Sequence, residues 1–596
     1  MYEFCLSYHS LEGDFLTGTK LIYHVGPLAV AHDSPLPLKQ VENNKCAIFV
    51  LGTPILGEEI ASGEIAEQLL NMLNPVEYDF SIINGTFLII IYQKNADRLV
   101  VINDRFASIA LFCLHADSSF HASVKYLDVW HLVRKQLDFR INESALYEFL
   151  HLQKLLGDKT YDNKSFYLLA ASVLTLENNV LTCRKYWHPD WKKEKWALDD
   201  FAHRLAYIIQ HAIIRRTSDG KRWGLLLSGG LDSRTILAGF SAPVECFTIG
   251  GRENEEYQVS HELALAKGVN HHFVERSSQH YGDILFESIR LSGGMQVFDH
   301  AHFLGIGPQL KPKVDVVFHG HGIDYFFQGL YLPTERVFWL NRSTFIEKLK
   351  KLTLENLPAI YASSIKYRMK SVDPLMIVRN SCRQSVHEAF MTSLEEHMKR
   401  MIIPYIQDPY EVWEQFHIGD LSRHYTYPNL LSIRTYIEER TVAFDNELLD
   451  LYFQMPVKYR LSGRVLRRTL QFMDKDLVLI RNANTGYPAY FSPYRATMYK
   501  SGCFLAKRLG LQKSLSNSNF GVDTSRSWPD RAELLRQVYV LREIICSLAQ
   551  SEYLASISFI DMDRVKYYAE EHLAGRGDYA ALLMTLITID TFLRMT

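Results

Sequence analysis

Up to about residue 190 the apolar residues come in short runs bounded by Gly, Asn, Asp or Pro. Cys46–Leu51 (CAIFVL), Thr86–Tyr92 (TFLIIIY), Arg98–Ile102 (RLVVI) and Phe166–Leu176 therefore read as strands joined by turns. Apolar residues at 146, 149, 150 and 152 predict one helix over Glu143–Leu155. This is the texture of a packed antiparallel sheet domain. After Trp187-His188-Pro189 the texture changes. Ala197–Arg216 has helical periodicity, followed by strands at Trp223–Leu227, Val244–Ile249, His271–Val274 and Val314–Phe318, with a helix at Glu255–Lys267. Strands alternating with helices predict a parallel sheet wound on both faces. From about residue 340 the pattern is mainly helical, with a final helix over Leu582–Leu593 and a Ser/Asn-rich loop over Lys513–Ser527.

At 596 residues the chain is long enough for several domains, and we divide it into 1–190 and 191–596. Composition narrows the function classes. Apolar residues make up 47% and charged residues 22%, the balance of a globular protein rather than a disordered one. With 65 basic and 67 acidic side chains the net charge is −2, which leaves no electrostatic footprint for nucleic acid or an anionic membrane. The longest apolar runs, such as Phe87–Tyr92, fall far short of the roughly 20 residues of a membrane span. The first residues lack a basic segment followed by an apolar one, so no signal peptide is read. Eight cysteines lie far apart with no CxxC pair, which predicts reduced thiols, no zinc site and a cytoplasmic protein.

The chemistry is concentrated in Leu227-Ser228-Gly229-Gly230-Leu231-Asp232-Ser233-Arg234, at the carboxyl end of one predicted strand and the start of a helix. The two glycines let backbone approach an anion, and Ser228, Ser233 and the first N–H groups of the helix can cradle phosphates. Asp232 offers a carboxylate to Mg²⁺. No GxxxxGK[ST] loop is present. The plain alternative is a helix-opening turn in which the serines only cap.

SGGLDS resembles the pyrophosphate loop of ATP pyrophosphatases, which cleave ATP between the α and β phosphates. Gly320-His321-Gly322-Ile323-Asp324-Tyr325-Phe326-Phe327-Gln328-Gly329 resembles the GEGxDExFxG loop of asparagine synthetases. Ile437-Glu438-Glu439-Arg440-Thr441-Val442-Ala443-Phe444-Asp445 is similar to that family's (V/L)-E-x-R-x-P-F-L-D stretch, with Val442 in place of Pro. These three motifs cover roughly 223–456 in the family's order. The resemblance implies an N-terminal α+β sandwich of the Ntn type, an α/β ATP-pyrophosphatase domain with a doubly wound parallel sheet, and a helical C-terminal part. It implies ATP and Mg²⁺, with Asp232 and Asp324 as metal carboxylates. Leu227, Ser228, Gly229, Gly230, Asp232, Ser233, Ile249, Gly320 and Gly322 would surround the nucleotide, the Thr248-Ile249-Gly250 backbone lying by the adenine.

Asn84-Gly85-Thr86-Phe87 and Asn103-Asp104-Arg105-Phe106 resemble landmarks of the family's amidotransferase domain. That domain needs a cysteine at position 2 whose own α-amine acts as base. Here Tyr2 stands there, and Cys5, with its nitrogen in a peptide bond, cannot substitute. The NGEIYN segment is replaced by Leu51-Gly52-Thr53-Pro54. The expectation is a vestigial domain that does not hydrolyse glutamine.

His321 stands where asparagine synthetases carry Glu, and at least one lasso-peptide cyclase resembles this chain there; β-lactam synthetase relies on a Tyr. An imidazole titrating near 6.5 can take a proton from an attacking amine, which makes His321 the candidate base, against a ring that merely packs. Glu438 is the candidate carboxylate of the third motif. The family's Lys has no counterpart in Ile480–Pro488, so Arg481, or Arg464, Arg467 or Arg468 upstream, would take its role, although Arg and Lys are not interchangeable. His300, His302 and His319 read as structural or solvent-facing, and Asn254–Tyr257 as helix capping. The resulting expectation is an ATP-dependent ligase that adenylates a carboxylate and passes the acyl group to an amine or ammonia. Three readings stay open within it: a macrocyclase of the lasso-peptide or β-lactam kind, an ammonia-using asparagine synthetase, and an amidating enzyme for another acid. The carboxylate is a small molecule or a precursor peptide, and a partner protein or a homodimer is compatible with it. A non-catalytic ATP-binding relative and a tRNA-modifying pyrophosphatase are the rivals outside the class.

Overall fold

The computed structural model describes residues 3–9, 21–116, 118–339, 342–364, 372–402, 406, 408–424, 426–508, 522–524 and 526–595. Tyr2 and most of the predicted Lys513–Ser527 loop lie outside the described residues.

The N-terminal strands pair into two antiparallel sheets of six and seven strands. Alternation explains how they stack. Phe49 and Leu51 face the other sheet, where Tyr23 meets Phe49 edge-on at 5.0 Å, whereas Ile48 and Val50 face outward. The outward face is covered by the helix Ser62–Asn71 through Ile65, Ala66 and Leu69. The helix Tyr126–Val133 packs against the strands Phe112–Ala116 and Ser119–Ser123 of the first sheet, giving four layers. The predicted strands lengthen to Cys46–Leu56, Asn84–Gln93 and Arg98–Asn103, the added Thr53, Asn84, Gln93 and Asn103 being buried within the sandwich. Phe166–Leu176 divides into Phe166–Tyr167 and Ser172–Glu177, and the helix begun at Glu143 stops at Leu152, where Gln153 turns left-handed with φ 56°.

Five parallel strands form the second part, in the spatial order His271–Glu275, Glu245–Gly250, Trp223–Leu226, Val316–His319, Glu438–Thr441. Helices cover both faces: Ile209, Ile213, Ile236 and Leu263 pack in the core shared with Leu225 and Phe318, and Leu310, Ile433 and Ile437 in the one shared with Leu226 and Val317. This is the expected doubly wound α/β arrangement. Two features depart from the predicted pattern. The Glu438–Thr441 strand (EERT) has no apolar residue, yet all four positions are buried. The mainly helical region after 340 also carries an antiparallel hairpin, Thr334–Trp339 with Arg342–Leu349.

The two parts share one core. Phe106 stacks on Phe444 at 5.1 Å, Asn84 donates to the Asp445 carboxylate at 2.9 Å, and Arg105 pairs with Asp450 at 3.1 Å. Thus the N-terminal NGTF and NDRF segments are docked onto the end of the third motif. Among the described residues no helix is long and apolar enough to cross a membrane, and all eight cysteines are unbridged.

Candidate active site

The strand order reverses between Trp223–Leu226 and Val316–His319, which lie side by side with Leu226 opposite His319. At such a switch point the loops leaving the carboxyl ends diverge onto opposite faces and open a crevice. This reversal brings the Ser228 and Gly320 loops together, although some ninety residues separate them in sequence. The crevice is a cleft of about 250 Å³ whose walls include Leu227, Ser228, Asp232, Ser233, Ile249, Gly320, His321 and Asp324.

The phosphate-type loop is held from within and behind. Ser233 Oγ accepts from the Ser228 backbone N–H at 2.9 Å and donates to the Ser228 carbonyl at 3.0 Å, closing the loop on the first turn of the helix Asp232–Gly239. Gly229 has no room for a side chain: a Cβ there would sit 2.4 Å from the Ala483 methyl, whose own N–H donates to the Gly229 carbonyl at 3.0 Å. Arg234, fully buried, gives its guanidinium to the carbonyls of Leu477, Ile480, Gly229 and Arg481, clamping the loop to the 477–481 turn. Its place in the motif was visible in the sequence, but its targets were not, because they lie some 240 residues away.

Asp232 and Asp324 face each other deep in the cleft. Burial pushes the Asp232 carboxyl up to about 7, partly offset by a hydrogen bond from the Gln328 amide. Burial, and then the charge of Asp232, raise Asp324 well above the usual carboxylate range. Two recessed carboxylates that oppose each other's ionisation make a donor set suited to a hard divalent cation. Among the described residues no group of three or more His, Cys, Asp or Glu side chains gathers to hold a metal. A pair of carboxylates fits Mg²⁺, which takes one or two protein carboxylates and fills its sphere with water and substrate phosphate.

His319 lines the cleft and is pinned at both ring nitrogens: His321 N–H donates to Nδ1 at 3.2 Å, and Nε2 lies 2.7 Å from Glu439 Oε1. That pairing assigns its proton to Nε2. Burial alone would raise Glu439, but Arg434 at 2.8 Å and then His319 hold it down at about 2, a fixed anion behind the loop. His321 touches Tyr325 Oη at 3.2 Å and Thr426 Oγ1 at 3.4 Å through Nε2. Burial, then His319, lower His321 to about 3, so the ring is neutral at physiological pH and a weaker base than the imidazole near 6.5 that the sequence led us to expect.

Two of the residues singled out from sequence lie elsewhere. Glu438 sits on the side of its strand away from His319, bonded to Arg440 and Lys221 at 2.7 and 2.6 Å; its neighbour Glu439 is the one that reaches the Gly320 loop, since successive strand side chains alternate. The Arg481 side chain pairs with Glu255 at 2.8 Å and does not line the cleft; only its carbonyl contributes, to Arg234. One wall was missed altogether. Ser527 and Trp528 close one side, with Ser527 N–H donating to Glu256 at 2.8 Å and Trp528 stacked on His302 at 4.5 Å. No local signal announces a wall supplied by a segment some 300 residues downstream of the loop it covers.

The family model described as asparagine synthase matches residues 204–478, which include all three motifs. A glutamine-hydrolyzing asparagine synthetase of Mus musculus is 27% identical over 154 residues, 22% of this chain and 26% of the mouse protein. The glutamine-hydrolyzing asparagine synthetase 3 of Bacillus subtilis (strain 168) is 24% identical over 270 residues, 41% of this chain and 44% of that protein. The matched portions thus span between a quarter and a half of the length of these relatives. Among solved structures, an allosteric regulatory enzyme of purine biosynthesis has a TM-score of 0.21 at 8% identity, covering 46% of this chain and 74% of its own. A glutamine phosphoribosylpyrophosphate amidotransferase from B. subtilis has a TM-score of 0.19 at 8% identity, covering 46% of this chain and 59% of its own. Residues 204–478, which carry the two motif loops joined at the switch point of the parallel sheet, are thus similar to the asparagine synthase family.

Proposed function

We propose that the protein is an ATP-dependent amide-bond ligase that activates a carboxylate as its acyl-adenylate. The observation that carries this reading is the meeting of the Ser228–Ser233 loop with the Asp324-bearing loop in one crevice. A carboxylate oxygen of the substrate attacks the α-phosphorus, the bond to the β-phosphate oxygen breaks, and pyrophosphate leaves against the Ser228–Ser233 backbone. The nitrogen of an amine or ammonia then attacks the acyl carbon, AMP departs with its oxygen, and the nitrogen gives up a proton. Asp232 and Asp324 would hold Mg²⁺, which when bound supplies charge neutralisation at the phosphates.

In this reading His321 Nε2 or Nδ1 accepts the proton from the attacking nitrogen. Tyr325 and Thr426 orient the ring, and the Glu439–His319 pair fixes the backbone on which it stands. Residues 1–190 serve as a scaffold docked on Phe444–Asp450, and Asn84 is already committed to Asp445 and Asn446.

The test is mass spectrometry of the protein with ATP, Mg²⁺ and a pool of carboxylates, with and without ammonia. AMP and pyrophosphate dependent on one acid are expected; ADP as the product would overturn the reading. An acid that forms product only with an added amine identifies intermolecular amidation, and one that cyclises identifies ring closure. His321→Ala is expected to keep acid-dependent pyrophosphate exchange within about threefold while amide formation slows on the order of 10²-fold, the usual worth of a positioned base. Equal loss of both would remove His321 from that role.

A further inference from the structure

A second cavity, of about 240 Å³, lies where the sandwich meets the helical region and shares no lining residue with the nucleotide cleft. Its charge is one-sided. Among the described residues, Arg105, Lys154, Lys185, Arg400 and Arg423 line it against the single carboxylate of Asp420. Arg105 is matched by Asp450 at 3.1 Å and Arg400 by Glu396 at 3.6 Å. Among the described residues neither Lys185 nor Arg423 is ion-paired. Lys185 donates to the Ala170 carbonyl, and Arg423 donates to the Lys159 carbonyl and lies 4.4 Å over the Tyr167 ring. Asp420 accepts from the Ala170 N–H at 3.0 Å and is a negative charge that both Lys185 and Arg423 feel, one carboxylate shared between two cations.

Carbonyl dipoles do not replace a counter-ion, and withdrawing a cation from water costs several kcal/mol unless an opposite charge is supplied. The neighbouring groups register the same field. Burial, then Lys159 and Lys154, press the His397 ring on the cavity wall down to about 3. The remaining wall is apolar and aromatic, formed by Leu155, Phe416 and Trp187, with Arg105 stacked on the Trp187 ring at 4.7 Å. A cationic end and an apolar side are the two halves of a pocket for an amphipathic anion.

We propose that this cavity is a binding site for a small organic anion, a phosphate monoester or a carboxylate with an apolar body, distinct from the nucleotide. The anionic group lies among Lys185, Arg423 and Arg400, and the apolar body lies along Trp187 and Phe416. The site is wired to the cleft by a short path: the turn Leu421–Arg423 leads to His424 and Thr426, whose Oγ1 is 2.8 Å from His424 Nδ1 and 3.4 Å from His321 Nε2. An occupant that draws Arg423 forward therefore bears on the residues that orient His321.

Calorimetric titration of the full chain tests this, with the nucleotide cleft first saturated by Mg²⁺ and a non-cleavable α,β-methylene ATP. The probes are phenyl phosphate, benzoate and inorganic phosphate, with benzylamine and benzyl alcohol as cationic and neutral controls. Phenyl phosphate is expected to bind at least about tenfold more tightly than inorganic phosphate, and the two controls not to bind. Lys185→Gln and the exposed Arg400→Gln, each melting within a few degrees of the parent, should each weaken phenyl phosphate roughly three- to tenfold and leave nucleotide affinity unchanged. Absence of anion binding under these conditions, or binding that neither variant weakens, would overturn the site. Failure of the ligase assay would not touch it, since the titration requires no turnover.

Discussion

Asp324→Asn is expected to melt higher than the parent in Mg²⁺-free buffer while losing acid-dependent ATP cleavage by at least about 10²-fold, the scale of removing one preorganised electrostatic group. The opposite signs come from one fact: two carboxylates share a recessed site and repel each other. The neutral amide keeps the shape and removes the repulsion. On the order of 1–2 kcal/mol is recovered, the worth of about one unit of carboxyl pKa, which is a few degrees in a protein of this size. A group whose pKa is raised on folding gives its full relative stability below its unfolded value and loses it as pH rises through the folded one. The advantage of the variant should therefore grow from pH 4 towards pH 8, with Asp232 raised to about 7 setting the upper part of that window. Differential scanning fluorimetry with and without Mg²⁺, beside a pyrophosphate-release assay, reads both effects. Parent-like turnover in the variant would remove Asp324 from the metal role.

Gly320→Ala has the largest expected effect on stability among the cleft residues. A Cβ on Gly320 would lie 2.4 Å from the backbone nitrogen of Ser233 and 2.7 Å from the carbonyl carbon of Asp232. Both contacts are with backbone, so no rotamer change relieves them. The two loops must move apart, at a cost of about 1–3 kcal/mol for overpacking. A shift of that kind at the floor of the cleft displaces the phosphate loop from the Asp324 carboxylate, and activity should fall by about 10²-fold. Urea unfolding and acid-dependent pyrophosphate exchange measure the two losses. Gly502→Ala is the control: it lies exposed within the helix Pro493–Arg508 with nothing within 4 Å of a new methyl, and should be neutral or stabilising by up to about 1 kcal/mol. A Gly320→Ala protein as stable and active as the parent would mean that the two loops are not in backbone contact.

The contrast between Glu438 and Glu439 shows where sequence reasoning stopped. The stretch Ile437–Asp445 was legible as a motif, but its charged residues hid a buried edge strand of the parallel sheet. That strand exists because each charge is answered: Glu438 by Arg440 and Lys221, Glu439 by His319 and Arg434, Arg440 by Asp219. Which glutamate reaches His319 depends on register against Val316–His319, and a shift of one residue would exchange them. The partner that pins His319, Glu439, likewise lies on another strand. Trp528, Arg234's carbonyl targets and the cationic cavity are all products of distant segments meeting.

What could be read from the chain alone was whatever neighbouring residues settle among themselves. Apolar runs bounded by turn residues became strands, the 3.6-residue spacing over Leu198–Arg216 and Glu255–Lys267 became helices, and SGGLDS became a tight loop opening a helix. These depend on local backbone preferences and on one face or two being apolar. The tertiary structure decided the order of the five strands and hence the meeting of Ser228 with Gly320. It also decided which charged side chains are buried against a partner and which glutamate serves the site. Those choices rest on register, on ion pairs between segments hundreds of residues apart, and on backbone contacts such as Gly320 on Ser233, none of which leaves a periodic trace along the sequence.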